Sequence, residues 1–285
     1  MEENCPSKTA LRVALRRAAH QLLDEPKIFD DPLAVRLLGL DGAGAASEHG
    51  QEWLAESPLA RVLRASLAAR SRYVEDEFRV ARKQGVGQLV ILGAGLDTFA
   101  YRNSDLDNSL QVFEVDHPAT QQWKHKRLEE ANIPIPPNLT FAPIDFETQT
   151  LRDSLEKARF AFDKRTSFSW LGVSMYLSSS AIEATLRFVA SLPAGSSIVF
   201  DYMIAPSMLS SNARKVFDGL AQRVASAGEP FQTFFEPLLL ERNLREMGFG
   251  QIEDMTPEKM DARYFKGRTD GLRVGKLSHI MHARV

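Results

Sequence analysis

Residues that form disulfides and metal sites are scarce in this sequence. Its 285 residues include one cysteine, Cys5, and six histidines. A single cysteine excludes an intrachain disulfide and is typical of a protein that works in a reducing cytosol. Two histidines that lie three positions apart, His279 and His282, fall in a predicted strand and therefore point to opposite faces. We accordingly predict no metal site and a cytoplasmic location.

A strong charge of one sign and a long hydrophobic run are also missing. The 35 Lys and Arg residues and 37 Asp and Glu residues leave a formal net charge of −2 at pH 7. This balance gives no reason to expect a nucleic acid or an anionic membrane as a partner. No apolar run approaches the roughly 18 residues that span a bilayer. The first residues lack the basic and apolar regions of a secretory signal, and no Gly-x-Ser-x-Gly nucleophile motif is present.

The first 85 residues carry helix signals and no convincing strand. Thr9 is placed to cap one helix, Pro32 opens a second, and Ser57–Pro58 begins a long helix that ends near Lys83. The glycine-rich segment Asp41–Gly44 is the predicted flexible break. We therefore separate a helical N-terminal segment, residues 1–85, from the rest of the chain, residues 86–285.

From Gln88 the pattern changes to alternating strands and helices, which predicts an α/β fold with a mostly parallel sheet. Right-handed crossovers then place the ligand-binding loops at the carboxyl ends of the strands. A strand-free insertion at about 205–235 follows the fifth strand, in the position of an inserted lid. The predicted strands lie near 88–92, 111–115, 139–143, 166–171, 196–202, 251–255 and 277–284, and the predicted helices at about 118–131, 148–158, 179–191 and 238–247.

One loop carries most of the functional signal. The apolar run Leu89–Leu92 leads directly into Gly93, Ala94 and Gly95, which is typical of a buried parallel strand that ends in a tight turn over a ligand. The next strand ends in Asp116, close to the roughly 20-residue distance at which nucleotide-binding α/β folds place an acid on ribose hydroxyls. We predict that this loop and this acid bind a nucleoside. The alternative role for Asp116 is an N-cap of the following helix.

The residues after the glycines favour one nucleoside over another. A dinucleotide-binding loop uses a third glycine, and here that position is Thr98. Asp97 puts a negative charge at the start of the next helix, which repels a pyrophosphate but suits a ligand that carries an ammonium or sulfonium group. S-adenosylmethionine has both cations, a ribose and no phosphate. The sequence therefore favours it over NAD as the cofactor.

Several segments resemble the leucine carboxyl methyltransferase-like proteins, a family of S-adenosylmethionine-dependent O-methyltransferases that includes bacterial members of unassigned substrate. The specific part is LGAGLDTFAYR at Leu92–Arg102 with FEVDHP at Phe113–Pro118, and IDF at Ile144–Phe146 and WLGVSMYL at Trp170–Leu177 also match. The N-terminal segments TALRVALRRA, FDDPLA and ARSRYVED are similar to the family's lid and entry segment. The resemblance implies a class I methyltransferase fold, that is, a Rossmann-like, mostly parallel sheet with an antiparallel edge strand, and helical lids formed by residues 1–85 and the insertion.

The resemblance also implies roles for residues outside the glycine loop. Asp145 and Phe146, at the end of the third strand, would bind the adenine. Arg70 would hold the cofactor carboxylate, because a guanidinium makes bidentate contacts with such groups. The alternative roles are a helix cap for Asp145 and a solvated helix charge for Arg70. His117 adjoins the adenosine site by its position in the chain, with a surface histidine as the alternative.

The chain departs from part of the family at one position. Leu171 stands where the eukaryotic carboxyl methyltransferases have a glutamate, so recognition of the methionine amino group passes to backbone carbonyls or to Asp97. Tyr176 and Tyr202 are weak candidates for facing the acceptor, with an edge of the core as the alternative for both. Catalytic residues are otherwise unassigned.

The sequence favours methyl transfer to an oxygen of a small-molecule or peptide acceptor. In-line displacement at a sulfonium methyl needs chiefly proximity and a dry pocket. A carboxylate acceptor is already ionised and needs no base, whereas a hydroxyl acceptor needs one. The alternative functions are an NAD-dependent oxidoreductase and a non-catalytic protein that binds an adenosyl ligand. The oligomeric state is left open.

Overall fold

Apolar strand segments that alternate with helices assemble into one seven-stranded sheet. The structure is a computed structural model that describes residues 7–40, 57–103 and 109–285. The strands are β1 (Gln88–Leu92), β2 (Gln111–Asp116), β3 (Leu139–Pro143), β4 (Thr166–Trp170), β5 (Ser197–Met203), β6 (Gln251–Met255) and β7 (Ser278–Arg284).

The order of the strands across the sheet is β3-β2-β1-β4-β5-β7-β6. Strands β1 to β5 run parallel, and β7 pairs antiparallel with both β5 and β6. All seven predicted strands are present, with ends that differ from the prediction by about one residue. The α/β fold with an antiparallel edge is therefore confirmed. This order brings the ends of β1, β2 and β4 together, next to the glycine loop.

Helices precede the sheet and cover both of its faces. The helices are α1 (Lys8–Leu23), α2 (Pro32–Leu37), α3 (Pro58–Lys83), α4 (Phe99–Arg102), α5 (Pro118–Glu130), α6 (Leu151–Lys157), α7 (Ser179–Ala190), α8 (Ser211–Ala225), α9 (Pro237–Met247) and α10 (Pro257–Tyr264). Among the helices of the described ranges, none is long and apolar enough to cross a membrane.

Two local features differ from the sequence-based predictions. Ser7, not Thr9, caps α1, because the Ser7 hydroxyl accepts from the Ala10 N–H at 3.1 Å. Helix α10 was not predicted, although Thr256 caps it and Pro257 stands at its first position. Cys5 and the predicted break at Asp41–Gly44 lie outside the described residues.

The core lies on both faces of the sheet. Every residue of β1 is buried, as expected for a central parallel strand. Along β5 the side chains alternate, so that Phe200 and Tyr202 join the main core while Asp201 and Met203 face the opposite side. That opposite side opens into a cavity at the carboxyl ends of the strands. The packed sheet thus holds the cavity-lining loops in fixed positions.

Candidate functional site

A cavity of about 2030 Å³ lies above the carboxyl ends of β1 to β5. Its walls come from α1, α3, the loops that follow the strands, and the segment around α8. This is the edge of a parallel sheet at which α/β folds bind ligands. All the cofactor-binding residues predicted from the sequence line it: Arg70, Gly93, Ala94, Gly95, Asp97, Asp116, His117, Asp145, Phe146 and Leu171.

The turn after β1 brings bare main chain to the cavity wall. Gly93 and Gly95 have φ angles of 62° and 49°, which side chains rarely adopt. A Cβ at Gly93 would lie 2.2 Å from the Val173 Cγ2 atom, and a Cβ at Gly95 would lie 3.3 Å from the Cβ of Ala10. The turn therefore requires glycine at Gly93 on both counts. Val173 and Ala10 pack against these glycines, and the turn as a whole lines the cavity.

Asp116 holds this turn from the neighbouring strand. One carboxylate oxygen accepts from the Gly95 N–H, and the other accepts from the His117 N–H at 2.6 Å. Burial raises the pKa of Asp116, and these two N–H groups partly offset that effect. The N-cap of α5 is His117, whose ring nitrogen accepts from the Ala119 N–H. The alternative role of Asp116 as an N-cap is therefore wrong.

Asp97 is not the free negative charge that the sequence suggested. Its carboxylate pairs with Arg17 of α1 at 3.1 Å and accepts from the Phe99 N–H at 2.7 Å. Arg17 also donates to Asp31 and to the Thr98 hydroxyl. The nearby guanidinium lowers the pKa of Asp97 against the opposing effect of burial. The argument that its charge repels a pyrophosphate was therefore wrong, because Arg17 compensates it.

A second buried ion pair lies beside the Asp116 strand. Lys124 of α5 donates to Glu114 at 2.6 Å, and both side chains are 1% exposed. The Tyr101 hydroxyl donates to the same carboxylate at 3.4 Å. Burial raises the pKa of Glu114 to about 7 in spite of the lysine. Glu114 is thus a buried acid with partners, and it ties β2 to α5 through Lys124.

Asp145 is not a helix cap, because Thr150 caps α6, so that alternative role is wrong. Its carboxylate accepts from the Glu147 N–H at 3.0 Å, as a local turn acceptor does. The residue also lines the cavity together with Phe146 and the preceding Ile144. One oxygen therefore orders the turn, and the residue remains at the wall where an adenine is expected.

Arg70 has a partner that sequence reasoning missed. Its guanidinium pairs with Asp201 of β5, and the Gly172 N–H donates to the other oxygen of that carboxylate at 2.6 Å. Arg70 and Asp201 are 13% and 4% exposed, and both line the cavity. The only sequence signal for Asp201 is an acid inside the apolar strand SIVFDYM. The prediction that Arg70 is a solvated charge is wrong.

The two tyrosines considered as acceptor-facing residues have different surroundings. Tyr176 lines the cavity, and its ring lies 5.4 Å from that of Phe231, beyond α8. Tyr202 is fully buried on the other face of β5, where its hydroxyl lies 3.4 Å from His279. The expectation for Tyr202 is therefore wrong, because strand alternation points it into the core. Among the described residues, no His, Cys, Asp and Glu cluster is arranged to hold a metal.

Known proteins with similar sequences are methyltransferases by name. A family model described as leucine carboxyl methyltransferase matches residues 10–190. A protein of Bacillus subtilis (strain 168), named as the putative S-adenosyl-L-methionine-dependent methyltransferase YktD, is 35% identical over 99% of each chain. A protein of Mycolicibacterium smegmatis with a similar name is 30% identical over 80% of this chain and 76% of its own.

Solved structures share the fold at low sequence identity. A putative methyltransferase from Thermobifida fusca YX aligns with a TM-score of 0.58 and 17% identity, over 99% of this chain and 96% of its own. A DUF574 family protein from Streptomyces avermitilis aligns with a TM-score of 0.56 and 15% identity, over 95% and 96%. These likenesses confirm the class I methyltransferase fold and say nothing further about the acceptor.

Proposed function

This chain belongs to the leucine carboxyl methyltransferase family, and from that membership we propose that it methylates an oxygen atom of a small-molecule or peptide acceptor. It is a methyltransferase whose cofactor is S-adenosylmethionine. The acceptor oxygen, in a carboxylate or a hydroxyl group, is the proposed part. The supporting observation is the cavity, which extends from the glycine turn to Tyr176 and the α8 segment.

The residues at the cavity wall fit the cofactor. Gly93 lets Val173 pack against the turn, because any Cβ at Gly93 would clash with it, and the turn itself lines the cavity that would hold the nucleoside. The buried carboxylate of Asp116 is a strong acceptor for ribose hydroxyls. Asp145 and Phe146 would hold the adenine, and Arg70 would hold the carboxylate of the methionine part. These assignments remain proposals for each residue.

The chain's own residues bind, orient and exclude water in the reaction. When bound, S-adenosylmethionine supplies a methyl group on a positively charged sulfur. Walls from α1, α3 and the α8 segment enclose the cavity, which favours a transfer that depends on proximity and desolvation. Burial raises the pKa of Tyr176, so its hydroxyl stays protonated at neutral pH and serves as a hydrogen-bond donor, not as a base.

That protonation state favours a carboxylate acceptor over a hydroxyl. A carboxylate is ionised at neutral pH and attacks without giving up a proton, whereas an aliphatic hydroxyl has to lose one to a base. A protonated Tyr176 supplies no base, but it can orient an ionised oxygen. We therefore place carboxylates first among the proposed acceptors.

The test is an acceptor screen with paired compounds. Acids and the corresponding alcohols of the same carbon skeleton are incubated with the protein and labelled S-adenosylmethionine, and the product is identified by mass spectrometry. We expect methyl esters from the acids and little product from the alcohols. Label found only on nitrogen or sulfur acceptors would contradict O-methylation. Stabilisation by S-adenosylhomocysteine in a thermal melt, measured first, establishes that the cofactor site is intact.

A further inference from the structure

The buried ion pair between Arg70 and Asp201 lies in the cavity wall, and its partners connect it to the glycine turn. Gly172 donates to Asp201, and Val173 beside it makes the close contact with the Gly93 turn. The Arg70 guanidinium packs against Gly172, since a Cβ at Gly172 would lie 2.9 Å from an Arg70 nitrogen. The pair is therefore linked to the glycine turn through Gly172 and Val173.

Asp201 lies on the strand next to Leu171, the position at which the eukaryotic enzymes have a glutamate. Trp170, the last residue of β4, pairs with Phe200 of β5, so Leu171, just after β4, and Asp201, still inside β5, lie at the same level of the sheet. Leu171 packs with apolar residues, among them Val199. The carboxylate at this level of the sheet is thus displaced by one strand, from β4 to β5.

The other candidate acid, Asp97, is held by a fixed partner. Arg17 is buried, and it also donates to Asp31, which is 0% exposed, and to Thr98. If Arg17 moved away to free Asp97, it would leave Asp31 buried with a weakened partner set. Arg70 differs, because its hydrogen bond and its ion pair are both with Asp201, so a ligand that engages both side chains leaves no third buried acid with fewer partners.

We propose that Asp201 binds the ammonium group of the cofactor's methionine part, in the role that the glutamate of the eukaryotic enzymes has at the Leu171 position. This inference rests on the proposed function only through the identity of the cofactor. Arg70 takes the carboxylate and Asp201 takes the ammonium. In the structure described here the two side chains pair with each other.

Charge balance supports this exchange. The amino-acid end of the cofactor is a zwitterion, and Arg70 and Asp201 are buried charges of opposite sign. Binding replaces one buried ion pair by two, so every buried charge keeps a partner. A buried charge without a partner would be costly. The Gly172 N–H continues to hold Asp201 in place through its other oxygen.

Calorimetric titration with four ligands tests the assignment. S-adenosylhomocysteine carries both groups, its decarboxylated form keeps only the ammonium, its deaminated form keeps only the carboxylate, and 5′-methylthioadenosine has neither. In Asp201→Asn we expect about a 10- to 100-fold loss of affinity for the first two ligands, the scale of hydrogen bonds to a charged group. Affinity for 5′-methylthioadenosine should stay unchanged.

The ligand set separates this role from others. If Asp201 only positions Arg70, the deaminated ligand loses affinity in Asp201→Asn and the decarboxylated one does not, which overturns the proposal. An equal loss for all four ligands indicates damage to the fold and also overturns it. Asp97→Asn tests the other candidate acid, and a loss of affinity for the ammonium-bearing ligands confined to that variant assigns the ammonium to Asp97 and overturns the proposal.

A charge-preserving variant and the natural protein complete the titration series. Asp201→Glu keeps the charge, and it should retain a preference for ligands that carry the ammonium even where Asp201→Asn folds poorly. If the natural protein binds S-adenosylhomocysteine normally and neither variant changes the ligand preference, this inference fails while the cofactor assignment stands. If the natural protein does not bind S-adenosylhomocysteine at all, the proposed function itself fails.

Discussion

Asp116 connects two strands of the sheet through a single side chain. Its oxygens accept from the N–H groups of Gly95 and His117 and face the cavity. A side chain in this position orders the turn and offers acceptors to a ribose at the same time. Its replacement therefore affects binding more than overall folding, because both N–H groups lie at the cavity wall where water replaces the lost acceptor.

For Asp116→Ala we expect S-adenosylhomocysteine to bind about 1.5–3 kcal/mol more weakly, the range for hydrogen bonds to a charged group. Isothermal titration calorimetry measures the change. Asp163→Ala, which removes an exposed acid, is the control and should bind as the natural protein does. An unchanged affinity in Asp116→Ala would remove this residue from the cofactor site.

Arg17 of α1 contributes to the stability of the fold through buried ion pairs that its sequence position does not predict. It pairs with Asp31 and Asp97 and donates to Thr98, and it is 6% exposed. We expect Arg17→Ala to lower the free energy of unfolding by about 3–5 kcal/mol, since it leaves Asp31 buried without its main partner. Urea denaturation checks this value, with the exposed Lys8→Ala as a control in the same helix. A loss below about 1 kcal/mol would show that Arg102, which also pairs with Asp31, suffices.

Single residues were predictable from the sequence where their signal is local. Gly93, Gly95 and Asp116 stand at fixed distances along one strand-turn-strand unit, and the structure places them together at the cavity. The pairings of Arg17 with Asp97 and of Arg70 with Asp201 join positions far apart in the chain. No spacing rule identifies such contacts, because they depend on how α1 and α3 pack onto the sheet.

At the scale of elements, charged groups join α3 to β7, near the antiparallel end of the sheet. Glu77 of α3 accepts from Arg284 of β7 at 3.2 Å and from Arg263 of α10 at 3.1 Å, and it lies 3.5 Å from His282. The hydrogen bond from His282, followed by contacts with Arg263, lowers the pKa of Glu77 to about 2 from its usual 4.5. The helix that carries Arg70 is thus anchored at its C-terminal half.

This anchor has a defined dependence on pH. Because the pKa of Glu77 is lower in the folded state, its stabilisation is complete above about pH 4.5 and is lost as the pH falls from 4.5 towards 2. We expect Glu77→Gln to be less stable at pH 7 by about 1–2 kcal/mol and to lose less stability than the natural protein over that acid range. Urea melts at several pH values measure both slopes, and parallel slopes would rule out Glu77 as the titrating group.

Elements were predictable where burial on both faces gives the sequence a short, continuous apolar run bounded by turn residues. The strands β1, β2 and β5 are apolar runs buried on both faces, and they appear where the sequence placed them. Helix α10 was missed because its cap, Thr256, directly follows a short strand that obscures the start signal. Thr9 was assigned as a cap because its real partner, Glu229, lies far away in the chain.

At the scale of the whole molecule, the two helical segments meet across the cavity. The Thr9 N–H of α1 donates to Glu229, beyond α8, at 2.9 Å, and the Thr9 hydroxyl donates to the same oxygen. Helix α8 and the residues after it form the opposite wall. The Thr9–Glu229 contact therefore bridges the two walls of the cavity. We propose that these two segments form the lid over the cofactor and the acceptor.

If this lid closes over the ligand, S-adenosylhomocysteine should slow hydrogen exchange beyond its direct contacts. We expect new protection around Arg70 in α3 and in residues 205–230, in addition to the Gly93 turn, because bound ligand links the lid to the sheet. Glu229→Gln weakens the contact with Thr9, so it should reduce the protection of 205–230 while leaving that of the Gly93 turn unchanged. A response confined to the Gly93 and Asp116 loops in both proteins would mean that the helical segments are a static wall, and that acceptor capture does not depend on closure.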